Sequence, residues 1–141
     1  MVEARPALRA LAAVRSLPPR SAAEEPAIAS PLQVASSRAT EDAFLITVRG
    51  EVDIATAPAL SREIAEVVGR KPGRLIVDLS ESPFMSAAGV AVLFDAHRRL
   101  RERRGRLVVI SGSPHVRKLL ALTGLAARAT VVSTREEAAP A

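Results

Sequence analysis

The feature that most constrains this sequence is a short, nearly continuous apolar segment, Leu-Ile-Val-Asp-Leu, at residues 75–79. It follows the turn-forming sequence Lys71-Pro72-Gly73. A segment of this length is too short for a typical buried helix, and strands that are covered on both faces have this continuous apolar pattern. Residues 75–79 therefore predict a strand at the centre of a sheet that has helices packed against it.

Patterns on both sides of this strand give the order of the other elements. Short alternating or apolar segments at 32–36, 44–49, 107–110 and 130–133 predict four more strands, with Glu41-Asp42 as the turn between the first two. Helical spacing of apolar residues predicts three helices. They begin at the cap residues Thr56 (with Pro58 in the first turn), Ser86 and Ser113-Pro114, and they end at Gly69, Gly105 and Gly124. The inward face of the third helix consists of Val116, Leu119, Leu120 and Thr123. The order β-β-α-β-α-β-α-β predicts an α/β fold with a mixed or mostly parallel sheet.

The predicted folded domain covers residues 32–135. Residues 1–31 are rich in Ala, Pro and Arg and predict a disordered extension; their superficial likeness to a transit peptide is weakened by Glu3 and by Pro18-Pro19. Residues 136–141 predict a flexible tail. Because no apolar run approaches the roughly 20 residues of a membrane span, we expect a cytoplasmic protein without membrane insertion.

Composition excludes several functional classes. The chain has no cysteine and only 2% aromatic residues, which argues against thiol chemistry, zinc fingers and base-stacking surfaces for nucleic acids. The two histidines, His97 and His115, are far apart and have no metal-ligand spacing. Ser86 lacks the flanking glycines of a nucleophile elbow, and no Gly-rich phosphate loop is present. We therefore expect a protein that is not an enzyme and that has no metal or cofactor.

The net charge of +5 is concentrated in one short stretch of six arginines: Arg98, Arg99, Arg101, Arg103, Arg104 and Arg106. A solvated helix end is the simplest interpretation, since cations are favourable near a helix C-terminus. A surface that steers an acidic partner protein is the main functional interpretation. Direct nucleic-acid binding is disfavoured, because a helix C-terminus offers no N–H donors to phosphate.

A candidate binding surface lies where the central strand leads into the second helix, at residues 83–90 (Pro-Phe-Met-Ser-Ala-Ala-Gly-Val). Small residues in the first turn of a helix leave backbone N–H groups open and allow a partner to approach closely. A phosphoryl group added there would place about −1.5 to −2 charges in the interface and would act as a binding switch.

Five segments in order resemble the STAS domain family of anti-sigma factor antagonists, and together they cover about residues 32–135. The segments are Leu45-Ile46-Thr47-Val48-Arg49-Gly50-Glu51-Val52-Asp53, Thr56-Ala57-Pro58-Ala59-Leu60, Leu75-Ile76-Val77-Asp78-Leu79-Ser80, Phe84-Met85-Ser86-Ala87-Ala88-Gly89-Val90 and Leu119-Leu120-Ala121-Leu122-Thr123-Gly124-Leu125. The resemblance implies a four- to five-stranded sheet with helices packed mainly on one face. It also implies non-catalytic binding to an anti-sigma factor, a serine kinase of the histidine-kinase-like ATPase type, which releases a sigma factor for transcription. A homodimer is a further expectation.

The resemblance also implies site residues. The family loop usually reads Asp-Ser-Ser/Thr-Gly or Asp-Ser-Ala-Gly, and this chain has Ser86-Ala87-Ala88-Gly89 in its place. The usual phosphoacceptor position therefore falls on Ala88 and the usual acidic position on Ser86, while Asp53 matches the family's acidic residue beside the loop. The partner-binding residues implied are Asp53, Thr56, Ser86, Ala87, Ala88 and Gly89.

Two interpretations of the phosphorylation loop are open. In the favoured one, the absence of a hydroxyl at Ala88 makes the protein a permanently binding-competent antagonist. In the other, Ser86 receives the phosphate. Two alternative functions also remain: an accessory subunit of a membrane transport or lipid-trafficking complex, and a module that senses nucleotides with the same loop.

Overall fold

A computed structural model describes residues 32–138, which form a five-stranded mixed sheet with the strand order β1-β2-β3-β4-β5. β1 and β2 are antiparallel, and the later strands are added in parallel. The predicted order of elements and the central position of β3 are confirmed. The elements are β1 (Gln33–Thr40), β2 (Ala43–Arg49), α1 (Ala57–Val68), β3 (Arg74–Glu81), α2 (Ala87–Glu102), β4 (Arg106–Ile110), α3 (Pro114–Leu122), a 3-10 helix (Leu125–Ala127), β5 (Thr130–Val132) and α4 (Arg135–Ala138).

The β1–β2 hairpin turns at Glu41-Asp42, as predicted. β1 is longer than the expected strand at 32–36, because it continues to pair with β2 as far as Thr40. Asp42 also fixes the start of β3: its Oδ1 accepts a hydrogen bond from the Gly73 amide at 2.9 Å. The polar turn therefore sets both the hairpin and the entry of the central strand.

The main core lies between one face of the sheet and helices α1, α2 and α3. Alternate residues of β2, β3 and β4 point to this face, and the apolar stripes of the helices cover them. Full burial of each large aliphatic side chain contributes about 1.5–3 kcal/mol. The fully buried side chains of this core include Ile46, Val48, Leu60, Leu75, Leu79, Met85, Leu93, Leu100, Leu107, Leu120 and Leu125.

The opposite face of the sheet carries a second, smaller core, against which the short helix α4 packs. Leu45, Ile76, Val108 and Ile110 form it together with Ala138 of α4. The Arg135 Nε lies 2.6 Å from Oδ2 of Asp78, a carboxylate that is almost completely buried on this face. The predicted tail, 136–141, thus begins inside a helix: Ala138 packs on the sheet and Arg135 pairs with Asp78, while Glu136 and Glu137 are exposed. The predicted extension 1–31 and residues 139–141 lie outside the described residues.

Two helix ends differ from the predictions. α2 was expected to stop at Gly105, but it ends at Glu102, and Arg104 adopts the left-handed backbone with φ 62°. Gly105 is required for a different reason, since a Cβ there would lie 2.9 Å from the carbonyl oxygen of Pro72. Thr123 was expected to face inward but is exposed, because its hydroxyl donates to the Leu119 carbonyl at 2.8 Å at the end of α3.

The helices among residues 32–138 are all too short or too polar to cross a membrane.

Candidate functional site

A backbone bridge joins the two halves of the predicted binding surface. Val52 pairs with Met85 in parallel: the Val52 amide donates to the Phe84 carbonyl at 3.1 Å, and the Ser86 amide donates to the Val52 carbonyl at 2.8 Å. This bridge extends the β2–β3 pairing beyond the ends of the strands. It places Asp53 beside the start of α2, although 33 residues separate Asp53 from Ser86 in the chain.

The segment 53–56, called the Asp53 turn below, is held by a dense set of hydrogen bonds. Oδ1 of Asp53 accepts from the amides of Ala55 and Thr56, both at 3.0 Å, and lies 3.1 Å from the Thr56 hydroxyl. The backbone hydrogen bond from Thr56 is the main cause that lowers the pKa of Asp53, with smaller contributions from the Thr56 hydroxyl and the Ala55 amide, and desolvation opposes it. Asp53 is therefore a carboxylate at neutral pH, fixed in one orientation.

Thr56 occupies the predicted cap position of α1, but its side chain does not cap that helix. Its hydroxyl oxygen accepts from the Asp53 amide at 2.9 Å and lies 2.9 Å from the Glu51 carbonyl, an acceptor for its proton. The prediction of a side-chain cap at Thr56 is thus wrong. The hydroxyl instead closes the Asp53 turn, since a Thr side chain can bond backbone groups outside the helix as readily as those inside it.

Ser86 caps α2, as predicted. Its backbone is extended, with φ −94° and ψ 177°, and its Oγ accepts from the Ala88 amide at 3.2 Å. Ala87 is exposed and Ala88 is half-buried, so the first turn of α2 presents methyl groups only. A partner backbone can therefore approach this turn closely.

Gly89 lets the two segments of the surface pack together. A Cβ at this position would lie 2.6 Å from Cγ of Met85 and 2.8 Å from Cγ1 of Val52, distances that real Cβ atoms do not tolerate. Those two residues form the bridge itself. The small residue is thus needed for the junction between the Asp53 turn and α2.

We expect the Gly89→Ala variant to lose about 1–2 kcal/mol of unfolding free energy. Because two atoms of the Val52–Met85 bridge would lie closer than 3.0 Å to the new Cβ, overpacking should cost the upper part of its usual range, about 2–3 kcal/mol, and the better helix propensity of Ala recovers about 1 kcal/mol. Urea denaturation followed by circular dichroism measures the difference. Gly69→Ala is the matched control: Gly69 has φ −61° and its nearest neighbours would be at 3.4 Å, so this variant should be neutral or more stable. Equal stability of the Gly89→Ala variant and the unchanged protein would contradict the expectation.

Two exposed apolar side chains at this end of the domain are functional candidates: sequence reasoning missed Ile54, whereas Phe84 lies within the predicted binding surface at residues 83–90. Ile54, at the tip of the Asp53 turn, is 82% exposed, and Phe84 is 39% exposed. The Phe84 ring stacks on His115 with centroids 5.1 Å apart, and the Ser113 hydroxyl donates to the Pro83 carbonyl at 3.2 Å. The available signal for Ile54 was a large apolar residue in the short connection between the predicted strand at 44–49 and the helix that begins at Thr56. The Phe84 contact joins elements that are distant in sequence and had no such signal.

The arrangement offers little for catalysis. Among residues 32–138, the Ser86 hydroxyl has a hydrogen bond only to the Ala88 amide, and no group of three or more acidic or histidine side chains is placed to hold a metal. A nucleophile needs a base within hydrogen-bond reach. The geometry instead describes a rigid, small-residue surface next to a fixed carboxylate, which suits protein binding.

The chain belongs to the STAS domain family, because the family profile matches residues 35–138. Within this family its relatives are anti-sigma factor antagonists, as the resemblance implied. The anti-sigma factor antagonist BtrV of Bordetella bronchiseptica is 34% identical over 101 residues, which span 71% of this chain and 87% of that protein. The anti-sigma-B factor antagonist of Listeria monocytogenes is 37% identical over 81 residues, or 57% of this chain and 70% of that protein.

A solved structure supports the same assignment. The crystal structure of an anti-sigma factor antagonist from Mycobacterium paratuberculosis is similar with a TM-score of 0.71 and 28% identity, covering 79% of this chain and 95% of that one. The recognition made from the sequence motifs and the predicted STAS-like fold, with helices mainly on one face of the sheet, are confirmed.

Proposed function

We propose that this protein binds an anti-sigma factor through the surface formed by Asp53, Thr56, Ser86, Ala87, Ala88 and Gly89, called the antagonist surface below, and thereby releases a sigma factor for transcription. The observation that carries this proposal is the Val52–Met85 bridge, which puts the Asp53 turn beside the first turn of α2. The names of the relatives supply the class of partner.

The side chains of the antagonist surface support protein binding. Hot spots of protein interfaces combine a buried apolar anchor with fixed polar groups around it. Ile54 and Phe84 can supply the anchors, and the carboxylate of Asp53 is held in place by its hydrogen bonds. The start of α2 carries the partial positive charge of a helix N-terminus, which favours carboxylate or carbonyl oxygens of the partner.

The partner in this proposal is an anti-sigma factor of the histidine-kinase-like ATPase type, and the complex is not ended by phosphorylation. Ala88 has no hydroxyl to accept a phosphoryl group. The Ser86 oxygen is half-buried and already accepts the Ala88 amide, so its use as an acceptor would disturb the cap of α2. Regulation then depends on the amount of the antagonist, and the site of action is the cytoplasm, where transcription takes place.

The Ala87→Glu variant should lose the partner while keeping its fold. Ala87 is exposed in the first turn of α2, where an acidic side chain is favourable for the helix but adds bulk and charge to the interface. We expect at least a tenfold loss of affinity for the anti-sigma factor, measured by calorimetry with the partner recovered from a lysate of the source cell. Ala65→Glu, on the exposed side of α1, is the matched control and should bind as the unchanged protein does.

Three results would contradict the proposal: one from identification of the recovered proteins, one from calorimetry and one from thermal unfolding with nucleotides. Recovery of transport or lipid-trafficking subunits alone would replace the sigma-factor function by the accessory-subunit alternative. Unaltered affinity of Ala87→Glu would move the interface away from the antagonist surface. Stabilisation of the protein by ATP or GTP that Ala87→Glu abolishes would favour the nucleotide-sensing alternative at this loop. Light scattering of the unchanged protein tests the expectation of a homodimer.

A further inference from the structure

A second concave surface lies between the C-terminal half of α2 and the 3-10 helix that precedes β5. Two adjoining cavities of about 790 Å³ and 550 Å³ share His97, Arg101 and Arg128 in their walls. Phe94 lines the larger cavity and Arg106 the smaller one. These five residues define what we call the arginine groove. His97 is 11 residues after Ser86, so the groove is about 16 Å along α2 from the antagonist surface.

The charges of the arginine groove are only partly balanced. The two acidic residues in its wall, Asp95 and Glu102, both pair with Arg98, and Asp95 also pairs with Arg99. Within the part of the chain that is described, no carboxylate lies within ion-pair distance of the three groove arginines, Arg101, Arg106 and Arg128. Three guanidinium groups therefore border one concave surface without a counter-ion from residues 32–138.

His97, which lines both cavities, has an unsatisfied polar atom. Its Nε2 is buried and has no hydrogen-bond partner among the described residues. Burial, followed by the charges of Arg101 and Arg128, lowers the pKa of His97, so the ring is neutral at physiological pH. A buried polar atom without a partner is costly, and in a native protein such an atom indicates a missing ligand, ion or water.

We propose that the arginine groove binds a small molecule that carries a diphosphate group, with the phosphate oxygens on Arg101, Arg128 and His97 and an apolar part of the ligand against Phe94. One guanidinium group can donate two parallel hydrogen bonds to two oxygens of a phosphate, and a neutral imidazole can donate its single N–H to a phosphate oxygen. The cavity volumes are in the range of small-molecule sites. This site is distinct from the antagonist surface, so the proposal is independent of the function proposed above.

The test is an NMR titration of the full chain, followed through its two histidine rings. The probes are inorganic pyrophosphate and ADP. Because His97 and His115 are the only histidines, their imidazole signals can be assigned with a single substitution. We expect both probes to shift the His97 signal in a saturable way, with ADP binding more tightly, while the His115 signal stays unchanged.

Substitutions test which arginines bind the phosphates. Arg101→Gln and Arg128→Gln should each weaken the affinity for pyrophosphate roughly tenfold or more, the usual effect of losing a hydrogen bond between charged groups. Both side chains are exposed, so the variants should fold, and thermal unfolding checks this. Arg62→Gln, at an exposed position of α1 outside both cavities, removes the same charge and should have no effect.

The proposal is overturned if neither probe shifts the His97 signal, or if Arg62→Gln weakens binding as much as Arg128→Gln does, because the effect would then be one of net charge. If ADP binds no more tightly than pyrophosphate, the part of the proposal that places an apolar group of the ligand against Phe94 is wrong. If Arg128→Gln lowers the affinity for the anti-sigma factor while small phosphates do not bind, the groove is a docking surface for an acidic partner protein.

Discussion

The Ala88→Ser variant is expected to accept a phosphoryl group that the unchanged protein does not accept. The resemblance to the family loop puts the usual acceptor position at residue 88, which is half-buried in the first turn of α2, and Ala88 lacks the hydroxyl that an acceptor needs. A phosphate there carries about −1.5 to −2 charges and enters the antagonist surface beside the Asp53 carboxylate. We expect modification to near completion by the anti-sigma kinase and ATP, and at least a tenfold loss of affinity for that kinase. Intact-mass spectrometry measures the first effect and calorimetry the second.

Two control variants make this result specific. Ala87→Ser places a hydroxyl one residue earlier, at an exposed position, and should remain unmodified. Ser86→Ala in the Ala88→Ser background should still be modified, because the cap hydroxyl is not the acceptor. A phosphate mapped to Ser86 in the unchanged protein would contradict the proposal of a permanently competent antagonist and would favour the displaced switch. If the Ala88→Ser variant is not modified, the partner is not a kinase that phosphorylates this loop.

The Arg135→Met variant should be the most destabilised of the single variants considered. Asp78 is 3% exposed in the central strand, and its Oδ2 has Arg135 as its ion-pair partner, while its Oδ1 accepts from Ser80. Removal of the cation leaves a buried carboxylate with one oxygen unpaired, which costs about 3–5 kcal/mol in fully buried pairs. Because the Arg135 side chain is 35% exposed and water can reach it, we expect a smaller loss than in a fully buried pair, about 2–3 kcal/mol. Because Met keeps an apolar side chain of similar length, the measured loss of stability is due to removal of the guanidinium group.

Thermal and urea unfolding measure this loss, and a fall in Tm of roughly 10 °C is expected. Arg62→Met, at an exposed position, is the control and should change stability by less than about 0.5 kcal/mol. Asp78→Asn combined with Arg135→Met should recover part of the loss, since the two groups interact directly. Stability of Arg135→Met equal to that of the unchanged protein would mean that α4 does not hold the second face of the sheet.

Much of the fold could be predicted because local patterns and burial agree. The apolar segment at 75–79 identified the central strand, and the alternation in the predicted strand at 44–49 puts Phe44, Ile46 and Val48 on one face, which the structure shows to be the core face. Ser86 was predicted as a cap and is one. Each of these features depends on the residue type at a fixed spacing, which the sequence contains in full.

The helix ends and the second face were harder to predict. The second helix was predicted to end at Gly105, but Arg104 takes the left-handed backbone, and the glycine is needed one residue later for the close approach of the Pro72 carbonyl. Residues 136–138 look like a polar tail in the sequence, and the buried carboxylate of Asp78 is what draws Arg135 and the short helix onto the sheet. In both cases a partner distant in sequence decides the local conformation.

The sequence by itself determined the order of the elements, the faces of the strands and the identity of the small residues at the start of α2. The tertiary structure decided which of these residues meet. The Val52–Met85 bridge joins the halves of the antagonist surface, the stacking of Phe84 on His115 completes its edge, and Arg128 comes opposite Arg101 across a groove. Periodicity specifies the face on which a side chain lies, whereas contacts between distant segments depend on how complete elements pack, which no local spacing encodes.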